Sequence, residues 1–316
     1  MINISFGIAF GNVLLTLLYI FPGFLTCKAK ITKPEHLSTL SAVLIYVCSP
    51  CMIVSSFLET ERTVGNVKQV MQFFAVSLVI QVLITVILYA LFHKKYDDVK
   101  YRMLTVSFGL GNSGFFGIPV IKAILPNHPE VACFACVYIV GMNMITFTVG
   151  AYCLTGDRKR MALKRAFLNP SFIGFAVAII LFAVNFQSFA PQKLIDAIIL
   201  LGKMTTPLCM IILGIRLASV SFKKLFLRPF VYVISVCKLL VFPLFSLAII
   251  YFLPVGNVFK AAMFILCGTP CASIMLSIAE MYHGETELAA NCVLLSTLLC
   301  IFTIPVLAFI SGRLFA

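Results

Sequence analysis

The chain has 316 residues, of which 61% are hydrophobic and 11% charged, with a mean hydropathy of +1.08 and a formal net charge of +13. That balance excludes a soluble globular domain. A helix needs about 20 apolar residues to cross roughly 30 Å of hydrocarbon, so ten crossings take about 200 residues and leave no room for a sizeable soluble domain.

In chain order, apolar runs fall at about 7–26, 37–57, 69–92, 102–124, 131–154, 169–186, 192–215, 229–252, 258–280 and 288–310. They are longer than barrel strands and apolar on all sides, which predicts an all-α integral membrane protein with ten transmembrane helices. The first run, after MINISFG, lacks the preceding Lys or Arg of a signal peptide and is read as a retained helix.

Basic residues alternate between the loops. One side carries sixteen, at positions 28, 30, 33, 94, 95, 100, 102, 158, 159, 160, 164, 165, 216, 223, 224 and 228; the other carries six. Because short basic loops stay in the cytoplasm, both termini are predicted outside. The net charge reflects this asymmetry, so no nucleic-acid partner is expected; the lipid bilayer is the partner implied.

Five helices precede the basic stretch near Arg158 and five follow it. An odd number of crossings inverts the second half relative to the first, which predicts a 5+5 inverted repeat: residues 1–154, a short cytoplasmic link at 155–168, and residues 169–316. Ser49-Pro50-Cys51-Met52-Ile53 in the second helix echoes Thr206-Pro207-Leu208-Cys209-Met210-Ile211 in the seventh. Pro119 and Pro270 stand in similar places in the fourth and ninth.

The fourth helix contains GLGNSGFFGIP, with Gly109, Gly111, Gly114, Gly117 and Pro119 inside eleven residues. Against Ala, four glycines and a proline together cost a helix about 7 kcal/mol, so a break is expected. The ninth carries a weaker version, Cys267-Gly268-Thr269-Pro270-Cys271-Ala272-Ser273. Paired interruptions at membrane depth point to a transporter binding site, because bare backbone there must face protein or a water-filled cavity. The alternative reading is close helix packing through small residues, with proline kinks.

GNSGFFGIP at 111–119 resembles the Asn-x-Gly-Phe-x-Gly-x-Pro signature of the auxin efflux carrier family, which includes plant auxin exporters and bacterial malate and malonate permeases. The resemblance implies a fold like that of bile acid symporters and sodium/proton antiporters, in which helices 4 and 9 break and cross at their prolines, here Pro119 and Pro270. It also implies a scaffold of helices 1, 2, 6 and 7 that forms a homodimer. Helices 3–5 and 8–10 would form a transport domain moving like an elevator. The chain differs from the plant exporters in its short link, which favours a microbial organic-acid carrier in a bacterial inner membrane over an auxin exporter.

Dipoles from two crossed, broken helices cancel in sign, so side chains must select the solute. The candidate substrate-binding residues are Asn112, Ser113, Gly114, Ile118 and Pro119 on the fourth helix, Asn143 on the fifth, Lys203 on the seventh, and Thr269, Pro270 and Ser273 on the ninth. Asn291 lies at a depth similar to Asn143. Acidic residues fall near helix ends or in loops, which argues against cation exchange, whereas Lys203 and Lys238 are intramembrane cations of the kind that face a cavity or a partner. The blander reading is that each Lys snorkels or loses its proton.

The twelve cysteines, including Cys48-Ser-Pro-Cys51 and Cys133-Phe-Ala-Cys136, sit in apolar helices and read as packing residues. The four histidines are scattered over loops, so no metal or cofactor is expected, and Glu280, His283, Glu285 and Glu287 read as a solvated acidic patch. With no HExxH, GxSxG or P-loop pattern, the chain is not expected to be an enzyme or an ATP-driven pump. The expectation is a secondary carrier of small organic anions such as malate, driven by the membrane potential, protons or an exchanged anion. A small-molecule sensor and a sodium-coupled symporter of sterol-like anions are the alternatives.

Overall fold

The computed structural model describes residues 6–219, 228–281 and 285–315. Lys223, Lys224 and His283 lie outside the described residues. The described residues are helical, with one isolated β-bridge and no strands. In chain order the helical segments are α1 Phe6–Lys28, α2 Pro34–Leu58, α3 Val64–Lys95, α4 Val99–Gly109, α5 Ser113–Ile124, α6 Glu130–Thr155, α7 Pro170–Ala183, α8 Gln192–Ser219, α9 Pro229–Ile250, α10 Asn257–Cys267, α11 Ser273–Met281 and α12 Thr286–Leu314. Eight spans among the described residues are long and apolar enough to cross a membrane, the one that contains α7 running from Arg158 to Ala183; α5 and α10 are shorter apolar helices. Such helices satisfy their own backbone in hydrocarbon, and the protein is an integral membrane protein.

Burial sorts the helices. In α6, 83% of the apolar span is buried inside the protein, against 22% in α1, which places α6 at the centre and leaves much of α1 for lipid. Lipid provides no hydrophobic drive between helices, so close contact rests on small residues. Gly23 of α1 lies against the Ile211 carbonyl of α8, and Gly214 of α8 against the Ile20 carbonyl of α1. At either glycine a Cβ would overlap backbone. Gly174 of α7 accepts Pro50 of α2 in the same manner. A separate aromatic cluster joins α3, α6 and α10: Phe73 stacks on Phe134 with centroids 4.6 Å apart, and both rings meet Phe259.

Prolines shape three helices in one way. The π-type turns Leu44–Cys48, Ser113–Gly117 and Cys237–Val241 end two residues before Pro50, Pro119 and Pro243. A proline lacks the N–H for the carbonyl four residues back and crowds it, and a locally widened helix relieves that crowding.

Candidate functional site

The fourth and ninth apolar runs are both interrupted, and the interruptions meet. Between α4 and α5, and between α10 and α11, the chain leaves the helix and forms a short antiparallel bridge pairing Gly111 with Cys271. The Asn112 N–H donates to the Pro270 carbonyl at 2.7 Å, and the Ala272 N–H donates to the Leu110 carbonyl at 3.0 Å. Each break thus supplies the hydrogen bonds that the other has lost, which is how non-helical backbone survives away from water. Gly111 is required here: a Cβ would lie 2.5 Å from Thr269 Oγ1 and 3.0 Å from Lys238 Nζ.

Side chains complete the seal. The Thr269 hydroxyl donates to the Leu266 carbonyl at 2.7 Å, so the Ser113 hydroxyl, 3.1 Å away, is the donor between the two. The Cys271 N–H donates to Ser296 Oγ of α12 at 3.0 Å. The Asn112 carbonyl accepts from Gly117 N–H at 2.9 Å and Phe116 N–H at 3.3 Å, opening the wide turn that leads into α5. Thr206 of α8 donates to the Phe115 carbonyl at 2.9 Å, the acceptor that Pro119 cannot serve.

Lys238 of α9 is fully buried beside the crossing. Its ammonium donates to the Phe108 carbonyl at 3.2 Å and the Cys267 carbonyl at 3.1 Å, and lies 4.5 Å from the centre of the Phe242 ring. Phe108 and Cys267 stand at the ends of α4 and α10, where orphan carbonyls concentrate partial negative charge. One cation therefore serves two helix C-termini and the face of an aromatic ring.

A cavity of about 370 Å³ opens next to the crossing, between α1, α2, α5 and α8. Its walls include Asn12, Thr16 and Tyr19 of α1, Met52, Ser55, Ser56 and Glu59 from α2 and its C-cap, Ile118, Pro119 and Lys122 of α5, and Gly202, Lys203, Thr206 and Pro207 of α8. Lys122 forms an ion pair with Glu59, while Lys203 has an exposed side chain and no ion pair among the described residues. The wall thus carries two ammonium groups and one carboxylate.

The sequence-predicted residues divide between these two places. Ile118, Pro119 and Lys203 line the cavity. Asn112, Ser113, Thr269 and Pro270 are buried in the crossing, and Gly114 is buried where a Cβ would meet Ile139 Cδ1 at 3.0 Å and Met52 Cε at 3.7 Å. Among the described residues, the Asn112 amide nitrogen and the Ser273 hydroxyl have no hydrogen-bond partner; both residues lie beside the Cys209 thiol. Asn143 and Asn291 are buried on α6 and α12, and neither end of the Asn291 amide is hydrogen-bonded among the described residues.

The proline correspondence needs correction. The chains cross at Gly111 and Cys271, so Pro270 stands at the crossing, whereas Pro119 lies within α5 after its wide first turn. Glycine, with no Cβ, opens the first break, and proline opens the second.

Sequence reasoning missed Lys122 and Glu59 as cavity residues. A faint signal existed for Lys122, since Ile118, Pro119 and Lys122 fall at helical spacing on one face. Glu59 lies 63 residues from Lys122 in the chain and had no local signal.

Comparison with known proteins fits this architecture. The chain is 25% identical over 294 residues to an uncharacterized transporter of Methanocaldococcus jannaschii, covering 90% of this chain and 93% of that protein. It is also 25% identical over 302 residues to an uncharacterized transporter of Methanothermobacter thermautotrophicus, covering 93% and 95%. A family model described as membrane transport protein matches residues 8–159 and 154–308, and the chain belongs to that family, the auxin efflux carriers.

Proposed function

We propose that the protein is a secondary carrier of small organic anions and that the cavity beside the crossing is its solute site. The observation that carries this reading is the wall bearing Lys122 and Lys203 against the single carboxylate of Glu59, in a space of about 370 Å³. That volume falls in the range of small-molecule sites. Its surplus positive charge favours an anion. The site needs no bond-making group, and alternating access supplies direction.

Helices α1, α2, α7 and α8 act in this reading as a scaffold, and α3–α6 with α9–α12 as the moving body, with α4–α5 and α10–α11 as the broken fourth and ninth membrane segments of a 5+5 inverted repeat. Packing supports it: α1 lies on the second half of α8 and α7 on the second half of α2, the partners expected if the halves are related by inversion. The cavity then lies between scaffold and moving body, on the side of Glu59 and Lys122, which the charge asymmetry puts outside with both termini. A homodimer joined through the scaffold follows from the family resemblance.

The test is uptake into liposomes of labelled carboxylates, including malate and phenylacetate. Saturable flux that Lys203→Gln reduces about tenfold is expected, and flux unchanged on replacing sodium with choline separates the carrier from a sodium symporter. Specific binding with no flux of any carboxylate would make the protein a receptor and overturn the proposal.

A further inference from the structure

Two ammonium groups face the cavity, but they are not equivalent. Lys122 is held by Glu59, and both side chains are partly exposed, at 39% and 29%. Lys203, across the cavity on α8, has no carboxylate partner among the described residues. The remaining polar lining is neutral: the hydroxyls of Thr16, Tyr19, Ser55, Ser56 and Thr206 and the Asn12 amide. A solute entering this space therefore meets one ammonium ready to pair and a second already satisfied.

We propose that Glu59 sets the charge class of the solute, so that the site takes monocarboxylates and disfavours dicarboxylates of similar shape. This rests on reading the cavity as an organic-anion site. The first carboxylate of any solute pairs with Lys203. A second carboxylate would have to leave water and displace Glu59 from Lys122, or remain desolvated beside the Glu59 charge. Either outcome leaves one anion unpaired, which is costly in a confined, partly apolar space. Glu59 in effect occupies the place of a second solute carboxylate. A monoanion leaves the Glu59–Lys122 pair intact and so avoids that penalty.

The test uses purified protein in liposomes at pH 7.5, with phenylacetate as the monoanionic probe and phenylmalonate as its dianionic counterpart. Each probe is assayed for uptake and for inhibition of the other. The wild type is expected to prefer phenylacetate. Glu59→Gln frees Lys122 and should shift the ratio of the two inhibition constants toward phenylmalonate by about tenfold, the effect of one extra unit charge at close range in a half-solvated site. Glu59→Gln with Lys122→Gln removes both partners, restores a single ammonium and should return the wild-type preference.

Glu59→Asp, which keeps the charge, should also retain it and controls for misfolding. A preference that is the same in the wild type and Glu59→Gln, while both transport phenylacetate, overturns the role of Glu59 and leaves the carrier reading standing. If no variant binds or transports either probe, the anion-site reading fails as well.

Discussion

The crossing and the cavity adjoin one another along α5, yet each handles polar groups in an opposite way. At the crossing, two stretches of bare backbone pair with each other, and Lys238 gives hydrogen bonds to carbonyls at two helix ends over an aromatic face. In the cavity, Lys203 is exposed and Lys122 shares its carboxylate partner with solvent. The same residue type serves structure in one place and, in the proposed reading, solute recognition in the other. Enclosure makes the difference: a fully buried ammonium must have all its bonding supplied by protein, whereas one facing water keeps charge available to a ligand.

Substitutions can break this contrast. The largest effect is expected at the crossing. Lys238→Ala removes the shared donor from two buried carbonyls and opens a void, at a cost of about 3–5 kcal/mol, read as a lowered unfolding midpoint in lipid nanodiscs. An unchanged midpoint would mean that the clamp contributes nothing.

A cavity substitution should behave in the reverse manner. Lys203→Gln is expected to reduce carboxylate uptake about tenfold while shifting stability by less than about 0.5 kcal/mol, since its side chain is exposed and without an ion-pair partner among the described residues. A loss of stability equal to that of Lys238→Ala would erase the distinction between the two lysines.

The smallest effect sharpens the boundary between the two regions. Thr269→Val deletes the acceptor of the Ser113 hydroxyl and one bond to the Leu266 carbonyl, which should cost about 1 kcal/mol in the same unfolding assay. Uptake should change less than twofold if the crossing is sealed from the solute. A tenfold loss would move the solute site into the crossing itself.

Much of this was legible along the chain. Apolar runs of bilayer length required helices, because hydrocarbon offers no partner for peptide groups, and four glycines with a proline in eleven residues required the break between α4 and α5. The break before α11 carried a weaker local signal, since one glycine and one proline also suit a simple kink. That Pro270 lies at the crossing and Pro119 does not depends on which stretches of backbone pair, a relation between segments distant in the chain.

Local composition therefore determined the membrane setting, the helices and the weak points in two of them, because those follow from the cost of exposing backbone to lipid. Tertiary structure alone decided which lysine became a clamp and which faces the cavity, and that Glu59 meets Lys122. Lys203 and Lys238 look alike in their own apolar runs; their roles come from the groups that other helices bring to them, and electrostatic partnership depends on distance in space rather than along the chain.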